Sequence, residues 1–422
     1  MREMKDSGVE WLGEVPAEWA LRQAGQLADQ TKAPNEGMIE TNLLSLSYGK
    51  VKRRDINATD GLLPASFETY NVIEPNDIVL RFTDLQNDQK SLRVGRATER
   101  GIITSAYVTV RPLNPSNSRF MYYALHAYDL RKGFYGMGAG VRQGLKWQEA
   151  KYIKLPWPDD AERDRIADFL DEKSDEIDCA VSAAERSIEE YKAYKNSIVN
   201  QTITKGLDVD VPMKDSGVEW LGKVPCEWAV RYPKYLFAAR KERARATDVM
   251  LTASQHHGMI PQKQFMAEEA YTPMPVEKGH DILKHVEPGD FVISMRSFQG
   301  GLEYSTLRGK MSSAYLALHP LTDQIEPSYY RWLFKSQRYI QGLQSTTNLV
   351  RDGQALRYAN FLKLWLPLPP LPEQRRIANF LDEKCDEIDL AIDSKQAIVA
   401  DLKAYKQSLI YEVVTGKREV EV

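Results

Sequence analysis

The chain has 422 residues, 43% of them hydrophobic and 27% charged, a balance that suits a soluble globular protein with two or three full cores. Its opening Met-Arg-Glu-Met-Lys is polar and it lacks a run of about 18 apolar residues, so neither a signal peptide nor a membrane span is expected and the location reads as cytoplasmic. Cys179, Cys226 and Cys385 stand far apart, which excludes a disulfide framework and zinc spacing.

The formal net charge of −3 conceals a segregation. Residues 20–155 carry 19 Lys/Arg against 13 Asp/Glu, and residues 229–365 carry 18 against 12. Residues 159–203 instead carry 6 against 13, and residues 373–413 carry 6 against 9. Two basic lobes alternating with two acidic segments are expected, and a basic face on each lobe suits a polyanion such as DNA.

In chain order, Met4–Arg22 comes first. It returns as Met213–Arg231 with sixteen of nineteen positions identical. Gly and Pro break this stretch too often for a domain. Its anchors Trp11, Leu12, Val15 and Trp19, repeated as Trp220, Leu221, Val224 and Trp228, read as a hydrophobic clasp.

The first lobe, 23–158, has strand-like runs at Asn42–Leu46, Asp77–Arg81 and Ile102–Val110, the last alternating and rich in β-branched residues. Arg119–Tyr128 reads as helical, and glycine-rich Gly133–Gly140 as a loop. The second lobe, 232–370, keeps the same landmarks in the same order: Glu-Pro-x-Asp (74–77 and 287–290), Ser-Ala-Tyr (105–107 and 313–315), Val-Arg (141–142 and 350–351), and a Leu-Pro-x-Pro exit (155–158 and 366–369). Between these landmarks the two lobes diverge, as expected if each reads something different. An α+β fold follows for each.

After each lobe a long helix is expected. Ile166–Asp178, IADFLDEKSDEID, returns as Ile377–Asp389, IANFLDEKCDEID, with eleven of thirteen identities. Asp159 and Asp160 can cap the first helix, and Glu373 suits the positive start of the second. Apolar or small residues at 166, 170, 177, 181, 184, 188, 191 and 198, and at 377, 381, 388, 392, 399, 402, 405 and 409, step by three and four in the manner of a coiled coil. Each stripe needs a partner and the nearest is the other helix. The expected architecture is therefore an internal duplication: two α/β lobes joined by two long antiparallel coiled-coil helices, with pseudo-twofold symmetry. Its parts are an N-terminal repeat segment 1–22, lobe 23–158, helix 159–204, linker and second repeat segment 205–231, lobe 232–370, and helix and tail 371–422.

Catalytic chemistry is hard to find. No phosphate loop or dinucleotide fingerprint occurs, and the six histidines show no metal spacing. Pro158-Asp159 followed by Asp171-Glu172-Lys173 spells the order of many nuclease sites. That chemistry needs adjacent strands, whereas these residues fall at the start of a helix and inside it.

For DNA contact the candidates are residues able to touch phosphates and base edges. In the first lobe these are Ser45, Ser47, Tyr48, Lys52, Arg53, Arg54, Arg81, Thr83, Asp84, Gln86, Arg93, Arg142 and Lys146. In the second they are Ser254, Gln255, His256, Arg296, Ser297, Gln299, Arg351 and Arg357.

Taken together, the doubled SGVEWLGxVPxEW segment, the Ser-Ala-Tyr strand, the Leu-Pro-x-Pro exit, Glu373-Gln374-Arg375 and LDEKxDEID resemble the specificity subunits of prokaryotic type I restriction–modification systems over nearly the whole chain. The first half departs from the pattern at its helix start, with Ala161-Glu162-Arg163. The resemblance implies that each lobe is a target recognition domain reading one half of a bipartite site in double-stranded DNA. It implies that the helices set the spacer and, with the repeat segments, dock two methyltransferase subunits, which restriction subunits, expected to number two, join. Trp11, Trp19, Phe169, Trp220, Trp228 and Phe380 are the expected docking residues. The chain itself would carry no catalytic residue, metal or cofactor; S-adenosylmethionine would sit in the adenine-N6 methyltransferase. The competing readings are a scaffold without sequence preference and an independent nuclease.

Overall fold

The computed structural model describes residues 2–57, 64, 66–85, 88, 90–137, 144–208, 210–268, 282–346 and 356–420. The chain divides into two compact units, Met1–Glu185 with Ala397–Val422, and Arg186–Gln396. Both boundaries fall inside the two long helices, Asp160–Lys205 and Leu371–Val414.

The repeat segments build the same clasp in each unit. Met4–Asp6 pairs antiparallel with Glu14–Pro16, and Met213–Asp215 with Lys223–Pro225. Asp6 and Asp215 each accept the amide of the glycine two residues on, and those glycines, Gly8 and Gly217, have φ near +64° and +70°, where a Cβ would be strained. The strand that follows closes the lobe: Ala20–Gln23 pairs with the exit strand Lys154–Trp157, and Ala229–Arg231 with Leu366–Leu368.

Each lobe holds a four-stranded antiparallel sheet with the same strand order. In the first it runs Ala28–Thr31, Val108–Pro112, Ile78–Leu80, Val94–Arg96; in the second, Phe237–Ala239, Leu316–Pro320, Phe291–Ile293, Glu303–Tyr304. The Ile78–Leu80 strand is buried on both faces. Ile78 and Leu80 pack in the main core with the helix Ser118–Leu130, and Val79 in a smaller core with Leu44, Leu46, Ile73 and Ile103. Phe291, Val292 and Ile293 divide in the same way.

The helical patch at 119–128 lies in Ser118–Leu130, as expected. The run 102–110 is not one strand. Gly101–Ile103 and Val108–Pro112 belong to different sheets, separated by a turn over Ser-Ala-Tyr. The hydroxyl of Thr104 accepts the Ala106 amide, and that of Ser312 accepts the Ala314 amide; this local bond competes with strand pairing. Of the glycine-rich stretch, Gly133–Gly136 is a short 3-10 helix.

The Glu-Pro-x-Asp landmark turns out to be a buried anchor. Asp77 takes both a bidentate pair from Arg111 at 2.8 Å and the Glu74 amide at 2.9 Å. Asp290 takes the same two kinds of donor, Arg240 at 2.6 and 2.9 Å and the Glu287 amide at 2.9 Å. The aspartate is shared while the arginine comes from a different place in each lobe, Arg111 within Val108–Pro112 and Arg240 just after Phe237–Ala239.

Asp159 caps the first helix through the Glu162 amide at 2.8 Å. In the first unit Asp178 bonds Lys406 and Glu185 bonds Lys403, both at 2.8 Å. In the second, Lys195 bonds Asp389 at 2.5 Å and Asp208 bonds Arg376 at 3.3 Å. Rising numbers on one helix meet falling numbers on the other, so the segments run antiparallel within each unit. Most of the expected stripe is buried, including Ile166, Leu170, Ile177, Val181 and Ile188, and Ile377, Leu381, Ile388, Ile392 and Leu409. Tyr405 is 48% exposed, which corrects its place in the stripe; Leu409 and Ile410 take the buried positions there.

Candidate nucleic-acid interface

Two loops in each lobe carry most of the candidates. The first is a hairpin tip. Leu44–Ser47 pairs with Lys50–Arg53, and the turn residues Tyr48 and Gly49 both have positive φ, 47° and 77°, the geometry of the two-residue turns that match strand twist. The register sets Ser45 opposite Lys52 and Ser47 opposite Lys50 on one face, while Leu44 and Leu46 go into the small core. Tyr48 stands out at 84% exposure. The second lobe repeats the hairpin with Leu251–Ser254 and Gly258–Pro261, and its tip presents Gln255 and His256.

The second loop follows the central strand. In lobe one it contains Arg81, Thr83 and Asp84, and the Leu145 amide bonds the Phe82 carbonyl at 3.0 Å, which brings Lys146 alongside. In lobe two it contains Arg296 and Gln299, and a Cβ on Gly300 would lie 2.9 Å from the Gln255 side chain. Hairpin tip and loop therefore meet there. Lys335 fastens this corner, donating to the Gln255 carbonyl at 3.1 Å and to buried Glu303 at 2.6 Å. Burial pushes Glu303 up to about 7, with Lys335 pulling the other way.

Lys146 and Arg357 occupy the same framework position. Each precedes a single helical turn, Trp147–Ala150 or Tyr358–Phe361, and each backbone amide is capped by the residue three places on, Glu149 at 3.0 Å and Asn360 at 3.2 Å. Both are exposed, and neither makes an ion pair among the described residues. Lys52 and Arg296 share that property. Arg53 is instead paired with Glu99 at 2.5 Å and Arg81 with Asp88 at 3.2 Å; Arg54 is exposed.

Three candidates are not presented at all. Arg93 is fully buried, its guanidinium donating to the carbonyls of Thr83 at 2.6 Å, Asp84 at 3.3 Å and Asp88, with its Nε 3.4 Å from the Tyr135 hydroxyl. It is a clamp that shapes the 81–93 loop. Ser254 and Ser297 are buried too: Ser254 accepts the amides of His256 and His257, and Ser297 that of Ser294. Small hydroxyls and a multidentate cation serve turn backbones as readily as bases, and the sequence alone does not separate the two uses. Gln86, Arg142 and Arg351 lie outside the described residues.

The expected docking set divides similarly. Trp19 and Trp228 are buried, so they anchor the clasp instead of meeting a partner. Trp19 Nε1 donates to Glu162 and Trp228 Nε1 to Glu373, each at 2.8 Å. The departure at Ala161-Glu162-Arg163 is thereby explained: Glu162 does the work of Glu373, and Arg163 donates to the Pro158 carbonyl as Gln374 donates to that of Pro369. Trp11 lies edge-on to Tyr128 with centroids 5.2 Å apart, and Trp220 edge-on to Tyr339 at 5.5 Å. Phe169 is half-buried and Phe380 exposed.

One charged cluster in lobe two is built round a buried histidine, while its Arg308–Glu287 pair repeats the Arg100–Glu74 pair of lobe one. Buried His285 lies between Asp248 at 2.7 Å and Glu287 at 2.8 Å, with Arg308 2.8 Å from Glu287 and Arg245 3.9 Å from it. Burial lowers the His285 pKa, but the bonds to Glu287 and Asp248 outweigh it and hold the ring above its ordinary value. A folded-state value above the unfolded one means stabilisation that is full below about 6.5 and lost as pH rises through the folded value. The thermal midpoint of the second unit should accordingly fall over that range more steeply in wild type than in His285→Gln, as followed by calorimetry.

Asp171 and Lys173, the nuclease-like string, sit on the first long helix, with Lys173 bonded to Glu176 at 2.8 Å. Among the described residues no group of three His, Cys, Asp or Glu is placed to hold a metal ion, and no helix is long and apolar enough to cross a membrane.

Two lobes with the same strand order are each followed in the chain by a long helix. No family model matches the chain. The chain resembles type I restriction enzyme specificity subunits from end to end. It is 20% identical to a putative type I restriction enzyme specificity subunit, MjaX, of Methanocaldococcus jannaschii, with 97% of this chain and 96% of that one covered. In fold it matches a chain from a structure on complex assembly and conformational transition of the type I restriction–modification system, with TM-score 0.65, 14% identity, and 96% and 99% of the two chains covered. It also matches the HsdS subunit of Thermoanaerobacter tengcongensis, with TM-score 0.50, 14% identity, and 96% and 98% covered.

Proposed function

We propose that this protein is the DNA-reading specificity subunit of a type I restriction–modification complex. Each lobe reads one half of a bipartite target, the helices act as an antiparallel coiled-coil spacer, and methyltransferase subunits dock on the helices and repeat segments. The observation that carries this reading is the equivalence of Lys146 and Arg357. Both lobes present, at one framework position, an exposed cation that makes no ion pair among the described residues, beside loops whose sequences diverge. A shared cation suits phosphate positioning, and divergent loops suit base readout. The remaining candidates are Ser45, Ser47, Tyr48, Lys52, Arg53, Arg54, Arg81, Thr83, Asp84 and Lys146 in lobe one, and Gln255, His256, Arg296, Gln299 and Arg357 in lobe two. Catalysis belongs to the partners, with S-adenosylmethionine bound by the methyltransferase.

Two weak readers on one spacer gain affinity through effective concentration when their separation matches the site. Half-sites about 34 Å apart, roughly one turn of the duplex, put both lobes on one face of the DNA. Mapping modified adenines genome-wide in cells carrying this protein and its methyltransferase tests the reading. A single motif of two defined halves and a fixed gap is expected; modification without sequence preference would favour the scaffold, and metal-dependent cleavage by the purified chain would favour a nuclease. Inserting one helical turn into both long helices should change the gap and leave both halves unaltered in the same assay.

A further inference from the structure

The repeated helix carries one carboxylate whose purpose the duplication alone does not explain. Asp171 accepts the Tyr123 hydroxyl at 2.6 Å and Arg119 Nε at 2.7 Å, and a second Arg119 nitrogen reaches Asp168 at 2.7 Å. Both donors come from Ser118–Leu130, the helix on which the first lobe's sheet packs. The residue at the same place in the second helix, Asp382, accepts Trp332 Nε1 at 2.7 Å and also an Arg331 guanidinium nitrogen. Those donors come from Pro327–Lys335, the corresponding helix of the second lobe. Each unit thus has an aspartate from the near-identical helix repeat gripping an aromatic donor and an arginine on its lobe. The aromatic residue stands sixth in each lobe helix but differs in kind, and the arginine stands second in one and fifth in the other, yet the acceptor is the same.

This arrangement does what the apolar contact between lobe and helix cannot. Aliphatic packing tolerates sliding, whereas two charge-assisted bonds converging on one carboxylate fix both position and rotation. In lobe one the hold extends to the reading hairpin, because Lys50 bonds Asp178 on the same helix.

We propose that Asp171 and Asp382 are positioning residues that set the tilt of each lobe on its helix, and through it the base-pair gap the protein accepts. The proposal rests on the DNA-reading function above. Neither residue touches DNA in this scheme, so their loss should leave both half-site sequences intact and relax the gap alone. One base pair is a step of roughly 3.4 Å, which a loosened latch can absorb.

The test uses Asp171→Asn and Asp382→Asn, singly and together, in the full chain assembled with its methyltransferase. The asparagines keep the shape and remove the charge, and Tyr123→Phe removes one bond and keeps the other. The double variant is expected to modify sites one base pair longer or shorter, with preference for the cognate gap falling about tenfold, the size expected for weakened charge-assisted bonds, and Tyr123→Phe is expected to fall between. A second readout needs no DNA: the distance between spin labels on native Cys179 and on Ser116→Cys, in a Cys226→Ser background, should broaden in Asp171→Asn. An unbroadened distance, an unrelaxed gap, or a changed half-site sequence would each overturn the proposal. If the wild-type complex modifies no bipartite site the DNA-reading function fails, and the label distance still decides whether Asp171 holds the lobe.

Discussion

Replacing Trp228 by alanine should destabilise the second unit by about 3–5 kcal/mol, the usual cost of deleting a buried tryptophan. The indole is fully buried in the second unit's main core, and its N–H is bonded to Glu373 in the opening turn of the second long helix. It also closes on the end of the other helix: a Cβ on Gly206, where φ is +78°, would lie 3.4 Å from the Trp228 ring and 2.6 Å from Glu373. Losing the ring removes core volume and the partner of a carboxylate that burial already pushes up, a shift the Trp228 bond opposes. Trp228→Phe separates the two effects, since it keeps most of the volume and should cost about 1–3 kcal/mol for the orphaned polar group. Urea unfolding monitored in each unit is the measurement, and the loss should be confined to the second. Trp19→Ala should do the same to the first unit, where Gly416 crowds Pro16 and Trp19 as Gly206 crowds Trp228.

Replacing Arg93 by methionine should cost about 3–5 kcal/mol, as expected when one member of a buried polar network is removed and its partners stay. Methionine fills much of the space but offers no donor to the carbonyls of Thr83, Asp84 and Asp88. Lysine keeps the charge without the fork, and should recover only part of the loss. The effect carries a pH signature. Burial raises Asp129 to about 6, while the Arg93 backbone amide and the charges of Lys132 and Arg93 pull it down. A carboxylate raised in the folded state costs stability as pH climbs through that value. Without the guanidinium Asp129 rises further, so the deficit of Arg93→Met should be larger at about pH 8 than at about pH 5. Equal deficits at both would mean that Arg93 and Asp129 are not electrostatically linked.

Much of this organisation is legible in the sequence because the chain repeats itself. Ile166–Asp178 and its copy mark the helices, and Glu-Pro-x-Asp marks equivalent turns in otherwise divergent lobes. What escaped was the use to which each landmark is put. Asp77 read as the start of a strand-like run and Asp290 only as its matching landmark, but their retention amid divergence was the available signal of a buried anchor. Their arginine partners, Arg111 and Arg240, come from unrelated positions and left no pattern to find. Strands of three or four residues, such as Gly101–Ile103, are too short for alternation to locate their ends. Trp19 and Trp228 read as clasp anchors from the residues around them and as docking residues from the resemblance, and burial favours the first, since an amphipathic tryptophan suits either use. Among the candidate residues, polarity does not separate side chains that turn inward, such as Ser254 and Ser297, from those that stay exposed, since a serine serving a turn and a serine serving a base look alike in one dimension.

The clasp in the first unit joins Trp19, Glu162 and Gly416, residues from the start, middle and far end of the chain, whereas its counterpart joins Gly206, Trp228 and Glu373 within the continuous stretch 186–396. Vectorial synthesis then imposes an order that runs against the usual N-terminal-first rule. The first lobe emerges early yet stays unlatched until residues beyond 396 leave the ribosome, so the second unit is the first able to finish folding.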